Sequence, residues 1–84
     1  MGDFFVNDRY KMLKTLSEHQ ITIADEVFIP VTQVELGKLM NLSKVTVNRL
    51  LNELIDNGYV EVYNNTKGRY QLTEAGKRVI EKYS

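Results

Sequence analysis

The stretch VTQVELGKLMNLSKVTVNRLLNELIDNGY, residues Val31–Tyr59, decides the fold. Thr32 precedes Glu35 at the spacing of a capping box, in which the threonine hydroxyl accepts from the Glu35 amide and the glutamate reaches back to Thr32. Val31 and Leu36 flank that box as a hydrophobic staple. The pattern predicts a helix from Gln33 to Met40. Asn41 stands where a left-handed residue is needed, a conformation asparagine tolerates. Ser43 is placed to cap a second helix, residues 43–57, with Leu42 and Val47 repeating the staple. Gly58 is its C′ glycine, and Tyr59 is expected to fold back onto Leu54. Gly37, inside the first of these helices, costs about 1 kcal/mol against alanine, so a close crossing of two backbones is expected there.

The second helix sorts its residues sharply. Val47, Leu50, Leu51, Leu54 and Ile55 fall on one face. Lys44, Val45, Thr46, Asn48, Arg49 and Asn52 fall on the other, with no carboxylate before Glu53. An ordinary solvated face mixes charge signs, whereas the start of this one suits a negatively charged partner.

After Gly58 the apolar period changes from helical to two. Val60 and Val62 alternate with Tyr59, Glu61 and Tyr63, and Asn64-Asn65-Thr66-Lys67-Gly68 is rich in residues that accept positive φ. Arg69-Tyr70-Gln71-Leu72 is the return strand of a hairpin whose tip is basic. Val60, Val62, Tyr70 and Leu72 are expected to face the core. Thr73 caps a last helix from Glu74 to about Lys82, with Ala75, Val79, Ile80 and Tyr83 on its apolar side.

These motifs carry a family resemblance. TQVELGKLMNLSKVTVNRLLNELIDNGYVEV resembles the helix-turn-helix of bacterial winged-helix DNA-binding proteins. Within it, LSKVTVNRLLNEL is similar to the recognition helix of the cyclic-AMP receptor (Crp) class. GRYQLTEAGKRVI resembles the wing exit and following helix of the multiple-antibiotic-resistance (MarR) class. The resemblance covers roughly residues 27–80. It implies an α+β, mainly α, winged helix-turn-helix fold: a three-helix core, a β-hairpin wing over 60–72 and a C-terminal helix, all in one domain over 1–84. The chain departs from the MarR class in lacking the Asp-x-Arg of many of its wings.

Upstream, residues 2–20 hold a first helix, with Asp3 or Asn7 as N-cap. Its apolar stripe comprises Phe5, Val6, Tyr10, Met12, Leu13 and Leu16. His19, the only histidine, has no ligand partner at useful spacing and is expected at the surface near the helix end. Ile21 and Ile23 alternate with Thr22, Asp25-Glu26 reads as a solvated bend, and Val27–Ile29 as a short strand that pairs with the wing before Pro30 ends it.

Composition bounds the function. The 84 residues contain no cysteine, which excludes a disulfide scaffold and a cysteine-ligated metal site. No apolar run reaches membrane-spanning length and no signal-peptide pattern is present, so a cytoplasmic protein is expected. No phosphate loop, no nucleophile–base pair and no metal or cofactor motif occurs, nor any sign of a small-molecule ligand, which argues against an enzyme. Eleven basic and eleven acidic residues cancel to a net charge of zero, but they are segregated. Leu36–Asn52 holds Lys38, Lys44 and Arg49 with no acid, and Val62–Thr73 holds Lys67 and Arg69 with no acid. Such a molecule can orient on DNA without being basic overall.

The expected partner is double-stranded DNA, in a transcriptional regulator. Lys44, Val45, Thr46, Asn48 and Arg49 are the candidates for base edges: Arg49 suits guanine, Asn48 adenine, and Val45 or the Thr46 methyl a thymine methyl. Thr32, Gln33, Lys38 and Ser43 are candidates for phosphates, partly through helix N-terminal amides. Asn65, Lys67 and Arg69 are candidates for backbone or minor-groove contact from the wing. A homodimer is expected, with Phe4 and Phe5, or Val79, Ile80 and Tyr83, as apolar contacts. A protein-interaction module and a plasmid or phage replication or partition protein are the alternative readings.

Overall fold

The computed structural model describes residues 8–66 and 68–83. Helix α1 (Asp8–Glu18) is followed by strands β1 (Ile21–Ile23) and β2 (Glu26–Phe28), then α2 (Gln33–Met40) and α3 (Lys44–Asp56). Strand β3 (Val60–Val62), a 3-10 turn (Tyr63–Asn65), strand β4 (Tyr70–Leu72) and helix α4 (Glu74–Tyr83) complete the chain.

The caps form where the residue types demand them. Thr32 Oγ1 accepts from the Glu35 amide at 3.1 Å and the Thr32 amide donates to Glu35 Oε1 at 2.8 Å, closing the capping box. Asn41 adopts φ 59° and ψ 47°. The following Leu42 amide donates back to the Gly37 carbonyl at 2.9 Å. A Cβ on Gly37 would lie 2.8 Å from the Leu42 carbonyl oxygen, so the smallness of Gly37 serves the turn itself. At the end of α3, Gly58 has φ +81°. Its amide donates to the Ile55 carbonyl at 3.0 Å and the Tyr59 amide to the Leu54 carbonyl at 2.9 Å, the paired bonds of a Schellman motif.

One core joins the pieces. Met12, Leu13 and Leu16 of α1, Leu36 and Met40 of α2, and Val47, Leu50, Leu51 and Leu54 of α3 are buried together. Ile29, Val31, Val60, Tyr70 and Leu72 extend the cluster beneath the β3–β4 hairpin, and Val79 and Ile80 of α4 pack against it. β3 and β4 pair antiparallel, Val60 opposite Leu72 and Val62 opposite Tyr70. Gly76 lets α4 approach the start of β3: a Cβ there would lie 2.2 Å from the Tyr59 carbonyl oxygen. These elements make the winged helix-turn-helix architecture, mainly helical α+β, that the motifs lead one to expect.

Three local expectations are corrected. Val27–Ile29 is not a strand of the wing sheet. The strand is Glu26–Phe28, and it pairs with Ile21–Ile23 in a separate hairpin. Glu26 therefore lies in a strand, and the bend falls on Ala24 and Asp25, at φ 50° and 69°. Positive φ at both central residues is what a two-residue type I′ hairpin requires. Backbone pairing with the wing is confined to one bridge, in which Ile29 and Tyr70 exchange hydrogen bonds of 2.7 and 3.0 Å. Finally, Val62 does not face the core but is 39% exposed. It shares the face of Val60, yet the core ends before the strand does.

Candidate nucleic-acid interface

The exposed face of α3 begins at its cap. Ser43 Oγ accepts from the Thr46 amide at 3.2 Å and its hydroxyl donates to Thr46 Oγ1 at 3.0 Å. Thr46 is half-buried by this arrangement, while Lys44, Val45, Asn48 and Arg49 are exposed, Val45 to 80%. The opposite face, Val47, Leu50, Leu51 and Leu54, is locked in the core. The helix therefore presents four of the five expected base-reading residues openly and the fifth in part.

Asn48 is held from two sides. Its Nδ2 donates to Gln33 Oε1 at 3.2 Å, and its Oδ1 accepts from Asn52 Nδ2 at 3.1 Å. Gln33 shares a groove with Tyr70; burial raises the Tyr70 pKa, and the neighbouring Gln33 amide opposes the rise. Arg49 lies 3.6 Å from Glu53 Oε2, while Arg9 of α1 donates to Glu53 Oε1 at 2.8 Å. The Arg9 hydrogen bond is the largest influence on Glu53. With the charges of Arg9 and Arg49 it outweighs desolvation and holds the carboxyl below its ordinary 4.5.

A groove of about 470 Å³ runs between α2, α3 and the β3–β4 hairpin, lined by Thr32, Gln33, Val34, Lys44, Asn48, Gly68 and Tyr70. It brings together two expected phosphate contacts, Thr32 and Gln33, with two expected base readers, Lys44 and Asn48. Lys38 lines an adjoining groove of about 330 Å³ with Gln33, Val34, Asn41, Leu42 and Lys44. Neither groove is lined by Val45, Arg49, Asn65 or Arg69.

The hairpin is fastened sideways to β2. The Arg69 guanidinium lies 5.0 Å from the centroid of the Phe28 ring, and Phe28 stacks on Tyr63 at 5.0 Å with 21° between planes. The Tyr63 hydroxyl donates to the Glu26 carboxylate, and this bond, with burial and the negative charge of Glu26, raises its pKa. Arg69 is thus engaged with Phe28 beside its expected role at the tip. Asn65 is exposed in the 3-10 turn at φ 55°. Lys67 lies outside the described residues, as do Phe4 and Phe5. Of the C-terminal contact candidates, Val79 and Ile80 pack on the core and Tyr83, 45% exposed, sits 5.6 Å from the Tyr10 ring.

Three participants are not singled out by the sequence. Val34, 51% exposed, lines both grooves; its signal is an apolar residue off the buried stripe of α2. The strand pattern assigns Tyr70 to the core alone, where it is indeed buried, but it also lines the larger groove. Arg9 has no local signal at all, since its partner Glu53 is on another helix.

A helix-turn-helix with a β-hairpin wing beside its second helix defines the winged-helix class. Within it, the chain belongs to the HVO_A0261 N-terminal domain family, whose model matches residues 5–84. No curated protein matches the chain. Among solved structures, the reduced Fe(II) CO-sensing protein from R. rubrum is similar with a TM-score of 0.72 and 21% identity, over 90% of this chain and 37% of that one. TTHA1359, a CRP/FNR-family transcriptional regulator from Thermus thermophilus, gives 0.70 and 22%, over 89% and 41%. A mutant MarR from E. coli complexed with operator DNA gives 0.62 and 26%, over 88% and 49%. The chain therefore spans less than half the length of each of these proteins. Among the described residues, no helix is long and apolar enough to cross a membrane.

Proposed function

We propose that this domain binds double-stranded DNA sequence-specifically, as the DNA-reading part of a transcriptional regulator. The observation that carries the reading is the groove in which exposed Lys44 and Asn48 of α3 meet Thr32 and Gln33 at the start of α2, beside the wing. The sequence around it is free of acidic residues from Leu36 to Asn52 on one side and throughout Val62–Thr73 on the other. The similarity to a MarR solved on operator DNA supports the same reading. In it, the first turns of α3 enter the major groove. Lys44, Val45, Thr46, Asn48 and Arg49 face base edges; Thr32, Gln33, Lys38 and Ser43 face phosphates; Asn65, Lys67 and Arg69 approach the backbone from the wing. So small a domain covers little DNA, and pairing as a homodimer on a pseudo-palindromic site is the remedy.

The test is selection of bound duplexes from a random pool, followed by titration at several salt concentrations. We expect affinity to fall with a log–log slope of about −3 to −5 per protomer. Sedimentation equilibrium with and without the selected duplex checks the pairing. Failure to select any duplex at low salt defeats the proposal, and a single protein per duplex defeats the dimer.

A further inference from the structure

We propose that Gln33 is a positioning residue for base readout: with Asn52 it fixes the side-chain amide of Asn48 in the orientation that accepts adenine. The specificity role rests on the DNA-binding reading above; the relay itself does not. An asparagine amide has two donors and two acceptor lone pairs. Here one donor is committed to Gln33 Oε1 at 3.2 Å and one lone pair to Asn52 Nδ2 at 3.1 Å. One N–H and one lone pair remain. Adenine needs that pair of groups, offering N7 as acceptor and N6 as donor in the major groove. An exposed asparagine without such partners rotates among rotamers and turns its amide over, and the cost of ordering it is then met at binding. Held beforehand, it discriminates without that cost.

The relay also has a direction. Gln33 takes part through its acceptor oxygen, which receives from Asn48 Nδ2. Gln33→Glu is therefore informative. A carboxylate at this position only accepts, so it must receive from Asn48 Nδ2 and leave Asn48 turned as it is. Gln33→Met keeps the length of the side chain and removes the bond to Asn48.

Two measurements decide the matter. In the free protein, the order parameter of the Asn48 side-chain amide should be close to that of the α3 backbone, should fall in Gln33→Met and should persist in Gln33→Glu. On selected duplexes, each carrying one substituted base pair, the wild type should discriminate at the Asn48 position by roughly 5- to 150-fold. Gln33→Met should reduce that ratio to within about threefold and leave the ratios at other positions as they were. Gln33→Glu should weaken every duplex by repulsion from phosphates and keep the ratio. Wild-type Asn48 as mobile as the exposed amide of Gln20 overturns the relay, whatever DNA does. An ordered Asn48 with an equal loss on every duplex in Gln33→Met overturns the specificity role and makes Gln33 a phosphate contact. Absence of wild-type binding to any duplex overturns the DNA reading and the specificity role with it, leaving the order parameters to judge the relay.

Discussion

Arg9 of α1 donates to Glu53 of α3 across 2.8 Å, tying the first helix to the one that carries the exposed basic face. Arg49 approaches the other carboxylate oxygen at 3.6 Å, so one acid serves two helices. The pair is partly exposed, and solvent screens such interactions, so its worth is read best from pH. Glu53 titrates below its ordinary 4.5 in the folded protein because of Arg9 and Arg49. A lowered folded pKa gives stabilisation that is present above the unfolded value and lost as pH falls through the folded one. The difference in thermal midpoint between the wild type and Glu53→Gln should therefore be largest near neutral pH and shrink as pH falls below 4.5 through the lowered folded value. A difference that does not change with pH would mean that the carboxylate charge contributes nothing.

Arg49 is the natural probe of base readout. It is exposed on the face opposite Leu50, Leu51 and Leu54, and its ion pair with Glu53 is long. Arg49→Ala should cost about 1–3 kcal/mol on a selected duplex and relax preference at one base pair per half-site. Competition binding with single-base variants measures this. An equal loss on every duplex would take the helix out of the major groove.

Gly76 and Gly37 should both resist alanine, for steric reasons. Alanine gains about 1 kcal/mol of helix propensity over glycine, but each Cβ meets a backbone carbonyl that cannot step aside. At Gly76 the distance would be 2.2 Å to Tyr59 and at Gly37 2.8 Å to Leu42. Overpacking costs about 1–3 kcal/mol or more, so Gly76→Ala should be clearly destabilising in urea unfolding and Gly37→Ala less so. A stabilised Gly76→Ala would contradict the packing of α4 on Tyr59.

Tyr10 should behave in the opposite sense. Among the described residues, its hydroxyl is the one buried side-chain polar atom without a hydrogen-bond partner. Such an atom carries its desolvation cost uncompensated. Tyr10→Phe should raise stability by about 1 kcal/mol, measured by urea unfolding; a loss of that size would reveal a partner for the hydroxyl in solution.

The legible features are those whose cause is local. The Thr32–Glu35 box, the left-handed Asn41 and the Gly58 terminus each involve a few consecutive residues, and each forms as expected. The Ile21–Phe28 hairpin is not legible because its turn uses Ala24 at φ 50°, a residue type that carries no turn signal. Val62 is misplaced by its pattern because period-two alternation gives the face of a strand but not where the core beneath it stops. The fastening of Arg69 by Phe28, and of Asn48 by Gln33, joins residues far apart in the chain. Their residue types mark them as surface polar groups, and nothing in the local pattern names a partner.

The Ile29–Tyr70 bridge has a consequence for how this domain can diversify. Two ribbons joined at one backbone pair do not make a continuous sheet, so no ladder dictates the pitch of the wing. That pitch falls to side chains: Val60, Tyr70 and Leu72 in the core, and Arg69, Phe28, Tyr63 and Glu26 between the ribbons. A shape held by side chains can be retuned by substitution, one residue at a time, without refolding the scaffold. A lineage could in this way refit the wing to a new surface while α3 keeps its seat in the core.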